Sequence, residues 1–199
     1  MRVAYGFDLD GTVTEEEILP RIASVLGLDR EMEVLTDLTL NGAIAFEDSF
    51  RLRCHILMSV PLSQVRSIVE DVALSKPIAE FIRSHHQQSF IISGNLDYWI
   101  RPLLDDLGCG SFTSTGVVEG DRLVGIEHVL VKSEAVAQLR KHFEKVVVIG
   151  ESVNDIPMFE AADVGVAYGG VHDPVENLVQ VADYLTYNPK ALCRLLGTL

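Results

Sequence analysis

Short apolar runs alternate along this chain with longer segments in which apolar residues recur at helical spacing. The runs are typical of buried strands, because a strand covered on both faces has few polar positions. They lie at residues Val3–Phe7, Ser89–Ile92, Val146–Ile149 and Val164–Ala167. Helices are predicted near 15–26, 77–82, 99–107, 132–139 and 154–162, a hairpin at 113–124, and a last strand and helix after residue 183. This order predicts an α/β fold with a doubly wound, mostly parallel, Rossmann-like sheet.

The interval between the first two strands is helical throughout. Apolar residues recur there every three or four positions, as at Ile18, Ile22 and Val25, and no strand is predicted. We therefore expect residues 1–14 and 76–199 to form a Rossmann-like core. Residues 15–75 are expected to form a small α-helical cap inserted after the first strand, over the edge of the sheet where its ligands bind.

Charge excludes several classes of function. The chain has 199 residues and a formal net charge of -13, so it lacks the clustered lysine and arginine that nucleic acid requires. No apolar stretch approaches the length of a membrane span, and no signal-sequence pattern precedes the first strand, so a cytoplasmic protein without a membrane partner is expected. Cys54, Cys109 and Cys193 are too scattered for a metal site and are interpreted as reduced structural thiols.

Candidate chemistry begins where the first strand ends. Asp8 and Asp10 stand one residue apart after the apolar run, followed by Gly11 and Thr12. Two carboxylates so close repel each other and raise each other's pKa unless a cation lies between them. A hard, oxygen-preferring ion such as Mg²⁺ is the cation that such a pair favours.

Other strand ends carry groups that suit a phosphate. Ser93 and Gly94 follow the second strand, and Glu151 follows the third. Because the carboxyl ends of parallel strands share one edge of a sheet, these groups are expected to converge with Asp8. Lys132 adds a compact positive charge before the third strand. The set predicts a site where a carboxylate attacks a phosphoryl group that a metal and a lysine neutralise.

The order of these motifs resembles that of the haloacid dehalogenase-like phosphatases over nearly the whole chain. The matching segments are Asp8-Leu9-Asp10-Gly11-Thr12, Ser93, Lys132 and Gly150-Glu151-Ser152-Val153-Asn154-Asp155. The resemblance implies that Asp8 forms an aspartyl-phosphate and that Asp10 protonates the leaving oxygen and then activates water. It also implies that Ser93 and Lys132 hold phosphoryl oxygens. An aspartate at position 10 favours phosphatase over dehalogenase chemistry.

The same resemblance implies a Mg²⁺ cofactor and its ligands. The implied metal ligands are Asp8, Asp10, Glu151 and Asp155. In phosphoserine phosphatases the acidic residue after the glycine is an aspartate, whereas this chain has Glu151, whose carboxylate reaches one methylene further. The second glycine after the motif serine is Asn95 here. Both departures could change the substrate or the turnover, but neither removes a required chemical group.

The helical segment resembles the cap of phosphoserine phosphatases more specifically. Gly42 and the stretch from Phe46 to Arg53 follow the pattern G-x-x-x-F-E-x-S-x-x-x-R. The resemblance implies that Glu17 faces the substrate ammonium, that Arg53 pairs with its carboxylate, and that Phe46 supplies an apolar wall. One anion and one bidentate cation are what a zwitterionic amino acid requires. Gly94 and Asn154 are the remaining expected substrate-binding residues, and a small phosphomonoester is the expected partner.

Each of these residues also allows a simpler interpretation. Glu17 could be a solvated first-turn residue like its two acidic neighbours, and Arg51 rather than Arg53 could be the substrate ligand. Lys132 alone could be solvated, and Ser93 or Asp155 could merely cap the helix that follows. The histidines considered as metal ligands, His85, His86 and His128, are expected at the surface or in loops.

Three other functions remain open from the sequence. The site could serve a phosphatase for another small metabolite, which the departures at Glu151 and Asn95 favour, or a phosphotransferase that hands the phosphoryl group to an acceptor hydroxyl. A binding module that kept the fold and lost the chemistry would lack the nucleophile or the lysine, and both are present.

Overall fold

The computed structural model describes residues 2–40 and 43–199, except for the side chains of Leu40 and Phe46. Within these residues, seven strands form one sheet in the order β4-β3-β2-β1-β5-β6-β7. The strands are β1 Val3–Phe7, β2 Ser89–Leu96, β3 Gly110–Glu119, β4 Arg122–His128, β5 Lys145–Gly150, β6 Val164–Tyr168 and β7 Tyr184–Thr186. All neighbours pair in parallel except the β3–β4 hairpin. The predicted mostly parallel α/β sheet is therefore confirmed.

Helices pack on both faces of this sheet, and others lie in the segment between β1 and β2. They are α1 Ile18–Leu26, α2 Asp29–Leu40, α3 Phe46–Leu57, α4 Leu62–Glu70, α5 Lys76–Ser84, α6 Asp97–Leu107, α7 Lys132–Leu139, α8 Ile156–Ala161, α9 Glu176–Val181 and α10 Pro189–Leu196. No helix among the described residues combines the length and the apolar character that crossing a membrane would require.

The central, buried position of β1 in the sheet explains why its sequence is continuously apolar. All five of its residues are buried, and alternate side chains enter different core layers. Tyr5 and Phe7 pack in the layer that contains α5 and α6, whereas Ala4 packs in the layer that contains α7 and α8. Since a strand residue points to the face opposite its neighbours, only a run without polar residues can fill both layers. This buried strand fixes the position of Asp8 directly beyond its end.

The four helices α1–α4 lie between β1 and β2, and their two connections to the sheet run side by side. Thr14 and Leu74 form an antiparallel bridge, and the amide of Ser75 donates to the carbonyl of Val13 at 2.9 Å. Further along, α4 packs against α6. Its amino end also contacts the hairpin turn, where Asp121 accepts a 2.8 Å hydrogen bond from the Ser63 amide. The segment thus leaves and re-enters the sheet at one place.

Several element boundaries differ from the sequence-based prediction. Helix α1 begins at Ile18 instead of Glu15, because residues 11–17 form a turn in which the Thr14 hydroxyl contacts backbone on both sides. Strand β2 continues to Leu96 through an irregularity after Ser93 instead of ending at Ile92. A 3₁₀ turn precedes α8. Helix α9 was not predicted, since six residues are too few for a clear apolar period.

Candidate active site

The lysine at the start of α7 holds two carboxylates together beyond the ends of β1 and β5. Nζ of Lys132 lies 2.5 Å from Oδ1 of Asp8 and 2.5 Å from Oδ1 of Asp155. All three side chains are buried. Burial disfavours the ammonium form of Lys132, but Asp155 and Asp8 outweigh this effect and raise its pKa. Lys132 is therefore a buried cation, and the solvated alternative is wrong.

Asp155 is fixed by the turn that follows β5. Its Oδ2 accepts hydrogen bonds from the amides of Glu151 and Ser152, both at 2.9 Å, and from the Ser152 hydroxyl at 3.1 Å. A side chain at Gly150 would collide with the Asp155 carboxyl, so only glycine allows this approach. Asp155 stands at the start of α8 but forms no side-chain cap hydrogen bond to that helix. Its carboxylate instead holds the loop that carries Glu151.

Asp10 is held by two donors from different elements. Its Oδ1 accepts the Ile18 amide at 2.9 Å, at the amino end of α1, and its Oδ2 accepts the carboxamide of Asn95 at 2.5 Å. Burial is the main reason why the pKa of Asp10 is raised, and the charge of Glu17 adds to it. The contact with Asn95 was not predicted, although Asn95 follows the Ser93-Gly94 pair at the edge where the acidic groups were expected to converge.

Ser93 and Gly94 directly precede Asn95, where the register of β2 becomes irregular. Ser93 is fully buried, and its hydroxyl accepts the Asn95 amide at 3.1 Å. The Gly94 carbonyl accepts the Ser114 hydroxyl at 2.6 Å. Bulges near the end of a strand often redirect side chains at functional sites. Here the irregularity turns the Asn95 side chain toward Asp10.

Glu151 carries a strongly perturbed carboxyl. It is 4% exposed, and burial followed by the charges of Asp8 and Glu17 raises its pKa to about 9. Burial also raises the pKa of Asp8, with Lys132 opposing this effect and Asp155 and Asp10 adding to it. These interactions bring Glu151 and Asp8 into one electrostatic site.

The segment that contains helices α1–α4, together with Glu17 just before it, places charged side chains near the same site. Burial raises the pKa of Glu17, Asp8 raises it further, and Lys132 and Arg53 lower it, so Glu17 lies within electrostatic reach of all three. Arg53 is half-buried and donates to the Thr36 hydroxyl at 2.8 Å. Arg51 instead forms an exposed ion pair with Glu47 at 2.8 Å. Of the two arginines, Arg53 is the one on the side of Glu17.

Three expected residues have no described contact with the acidic side chains, and one residue near them was not expected. Asn154 contacts the Ser152 hydroxyl within the turn after β5. The side chain of Phe46 and the whole of Gly42 lie outside the described residues, so the structure does not test either prediction. His172 was overlooked in the sequence, yet its Nε2 lies 3.5 Å from Oε1 of Glu17. It follows β6 by a few residues, so the strand-end argument applied to β6 would have indicated it.

A separate cleft of about 370 Å³ lies at the opposite edge of the sheet, where its lining includes Arg2, His85, His86 and Phe143. These residues precede β1, β2 and β5, whereas the acidic cluster follows the carboxyl ends of β1 and β5. The convergence of charge, and not the presence of a cleft, identifies the candidate active site.

Comparisons with known proteins agree with this arrangement. A phosphoserine phosphatase from Archaeoglobus fulgidus is 27% identical over 190 residues, which are 89% of this chain and 54% of that protein. The chain thus spans about half the length of that relative. A phosphoserine phosphatase from Halobacterium salinarum is 28% identical over 208 residues, with 96% of this chain and 95% of that protein covered. The crystal structure of a phosphoserine phosphatase from T. onnurineus in complex with NDSB-201 is 26% identical and superposes with a TM-score of 0.77, covering 100% of this chain and 96% of that one.

The sequence also matches a family of enzymes directly. The match extends over residues 6–160, which include the end of β1, helices α1–α4, Lys132 and the turn after β5. The predicted phosphoester hydrolase similar to phosphoserine phosphatases is thereby confirmed at the level of the family. The chain belongs to the haloacid dehalogenase-like hydrolases.

Proposed function

We propose that this protein is a Mg²⁺-dependent phosphomonoesterase that works through an aspartyl-phosphate on Asp8, with O-phospho-L-serine as its substrate. The observation that carries the proposal is the buried bridge from Lys132 to Asp8 and Asp155 at 2.5 Å. The names of the relatives support the choice of substrate. In this proposal residues 15–75 act as a cap, and the enzyme works in the cytoplasm on a small molecule, without nucleic acid or membrane.

The chemistry of the proposed donors suits a divalent cation. The proposed donors Asp8, Asp10, Glu151 and Asp155 offer only oxygen, which is what Mg²⁺ prefers. Burial, followed by the neighbouring carboxylates, raises the pKa values of Glu151 and Asp8, and the charge of Lys132 opposes the rise at Asp8 only in part. When bound, the ion would neutralise phosphoryl oxygens and polarise the phosphorus toward attack.

The chemistry divides between Asp8 and Asp10. A carboxylate oxygen of Asp8 attacks phosphorus, the new O–P bond forms, and the bond to the substrate oxygen breaks. Asp10 gives its proton to that leaving oxygen and later takes a proton from the water that attacks the aspartyl-phosphate. Two hydrogen bonds, from Ile18 and Asn95, keep Asp10 in one orientation for both steps. Its raised pKa suits a group that must give and take a proton near neutral pH.

Lys132 performs two tasks in this scheme. It orients the Asp8 carboxylate through a short hydrogen bond, and it places a positive charge where the phosphoryl oxygens gather. Ser93 and the backbone around Gly94 are the proposed neighbours of those oxygens. Glu17 and Arg53 then select the substrate, one by its ammonium and the other by its carboxylate.

The experiment that tests this function compares L-phosphoserine with a panel of sugar, nucleotide and amine phosphates. We expect the kcat/KM for L-phosphoserine to exceed the panel average by at least about 100-fold, because two charged contacts distinguish it. A phosphoserine rate no better than the panel average rejects the substrate.

One observation favours a second candidate, a phosphatase for another small metabolite. Asn95 puts a carboxamide against Asp10, where phosphoserine phosphatases have glycine, so the space beside the proton donor is smaller. The same panel identifies that substrate. Release of a phosphorylated acceptor, when alcohols are added, would instead indicate a phosphotransferase.

The substitution Arg53→Ala is expected to separate substrate recognition from chemistry. We expect kcat/KM for L-phosphoserine to fall about 100-fold, because a charge-assisted contact of roughly 2–3 kcal/mol is lost. An aryl phosphate, which has no carboxylate for Arg53, should lose less than about threefold. Steady-state kinetics on both substrates provides the measurement.

The matched control for this prediction is Arg51→Ala, on the same helix. Arg51 is bound to Glu47 at the surface, so both substrates should stay within about twofold of the unmodified enzyme. Equal losses on both substrates in Arg53→Ala, or a selective loss in Arg51→Ala, would contradict the proposed role of Arg53.

Magnesium is expected to stabilise the protein more strongly at high pH. Without metal, Glu151 has a pKa of about 9 in the folded protein against 4.5 for an unperturbed glutamate. The folded protein therefore binds the Glu151 proton more tightly than the unfolded chain does. This difference adds stability that is fully present below pH 4.5 and is lost progressively as the pH rises toward 9. Because the cation competes with that proton, its affinity should rise over the same range. At 100 times its Kd, Mg²⁺ adds about 2.7 kcal/mol, or roughly 5–10 °C in Tm.

Thermal unfolding with and without MgCl₂ at pH 6 and pH 8.5 measures this difference. NaCl of equal ionic strength is the control for screening, and Glu151→Gln should lose part of the pH dependence, since its amide cannot titrate whereas Asp8 and Asp10 still do. A Mg²⁺ shift in Tm that is equal at both pH values would contradict the assignment of Glu151.

A further inference from the structure

Three side chains of types that can ligate metals meet from separate elements, and one of them, Glu151, is also a proposed magnesium donor. Glu17 precedes α1, Glu151 follows β5, and His172 lies in the loop between β6 and α9. Among residues 2–40 and 43–199, they are the one group of three or more such side chains whose ligand atoms all lie within 4.8 Å of one another. This cluster contains a nitrogen ligand, whereas the proposed magnesium donors are all carboxylates.

A second observation is that one oxygen of this cluster has no hydrogen-bond donor. Oε2 of Glu151 is buried and accepts no hydrogen bond from any of the described residues. Neighbouring acidic groups are already engaged, since Asp10 accepts from Ile18 and Asn95, and Asp155 accepts from Lys132 and the turn. A buried carboxylate oxygen without a donor costs free energy that a cation would recover.

One distance in the cluster, between His172 and Glu17, is close to the separation of two ligands around a small tetrahedral ion. Zinc binds histidine nitrogen and carboxylate oxygen at about 2.0–2.2 Å, so two ligands of a tetrahedral site lie roughly 3.4 Å apart. The distance from Nε2 of His172 to Oε1 of Glu17 is 3.5 Å. The imidazole is a ligand that suits Zn²⁺ and related transition metals, whereas Mg²⁺ is bound mainly through oxygen.

We propose that Glu17, Glu151 and His172 form a binding site for a transition-metal dication such as Zn²⁺, which shares only Glu151 with the magnesium donors. The consequence for catalysis rests on the proposed function. A zinc ion here occupies Glu17, the group that would bind the substrate ammonium, and withdraws Glu151 from magnesium. Zinc is therefore an inhibitor that competes with both phosphoserine and Mg²⁺.

Direct metal binding tests the site without any assay of activity. Zinc affinity is measured on the metal-free protein by competition with a chromogenic chelator, and Co²⁺ serves as a spectroscopic probe of nitrogen ligation. We expect His172→Gln to weaken Zn²⁺ binding by about 10- to 100-fold or more, because a direct ligand is lost. The His172 side chain is 59% exposed, so this variant is expected to fold normally.

The matched control is His128→Gln. His128 also lies beside a carboxylate, 3.7 Å from Glu134, and its side chain is 49% exposed, but it is not part of the three-residue cluster. Its replacement should leave Zn²⁺ affinity within about twofold. Equal zinc affinity in His172→Gln and the unmodified protein overturns the inference. Loss of zinc binding in Asp8→Asn with none in His172→Gln also overturns it, since the ion would then lie among the magnesium donors.

Inhibition is the second readout. With saturating Mg²⁺, the Zn²⁺ concentration for half-inhibition should rise in His172→Gln by the same factor as the dissociation constant. If the protein hydrolyses no phosphomonoester, the proposed function fails while the zinc site stands on the binding data. If the enzyme is active and zinc inhibits both proteins equally, the site does not control activity and that part of the inference is rejected.

Discussion

Asp8→Asn is expected to lower kcat by at least about 10⁴-fold on every phosphomonoester, because the amide cannot form the covalent intermediate. The fold should remain intact, since asparagine has the same shape and its carbonyl oxygen can still accept the hydrogen bond from Lys132. The substitution also removes one negative charge from a buried acidic cluster. We therefore expect the free energy of unfolding to stay within about 1 kcal/mol of the unmodified protein, or to rise.

Steady-state kinetics and urea unfolding of the same preparation measure both effects. Asp105→Asn is a matched control, because Asp105 is exposed on α6 and its loss should change neither quantity. Rapid quenching with labelled substrate should trap a phosphorylated protein in the unmodified enzyme and none in Asp8→Asn. Residual turnover above about 1% in Asp8→Asn would show that another group can act as the nucleophile.

The sequence predicted best those features that depend on the alternation of strands. The run Val3–Phe7 had to be apolar at every position because both faces of β1 are covered, and its end placed Asp8. Since parallel strands share one carboxyl edge, the meeting of Asp8 with the end of β5 followed from the order of elements alone. A single lysine at a helix start is usually solvated, so the assignment of Lys132 to the site used both its position before the third strand and the family resemblance.

The features that the sequence missed depend on tertiary contacts. Nothing local indicates that Asn95 donates to Asp10, because an irregularity in β2 redirects its side chain. Helix α1 starts late because a turn around Thr14 uses the residues that its periodicity would include. His172 stands in a loop without periodicity, so only its position a few residues after β6 could have indicated it.

Electrostatics links stability and function in this site. Catalysis requires several carboxylates in one buried place, and such a cluster destabilises the fold unless cations balance it. Lys132 is the built-in cation, and the proposed magnesium ion supplies the rest. The protein without metal should therefore depend on Lys132 for stability as much as the enzyme depends on it for turnover.

Lys132→Met is expected to cost about 3–5 kcal/mol of unfolding free energy in the metal-free protein at pH 8.5, because Asp8 and Asp155 lose their shared partner inside the core. This corresponds to a decrease of roughly 6–20 °C in Tm. Turnover should fall by at least about 10³-fold, since the charge that neutralises the phosphoryl group is gone.

The loss of stability in Lys132→Met should be smaller at pH 6 than at pH 8.5. Without the lysine, the pKa of Asp8 rises beyond its already raised value, so the folded variant retains a proton that the unfolded chain releases. Stability is then preserved at low pH and lost as the pH rises. Urea unfolding in the presence of a chelator at both pH values measures the effect, with the exposed Lys141→Met as the matched control. A cost below 1 kcal/mol, or one that is independent of pH, would mean that Lys132 does not balance these carboxylates.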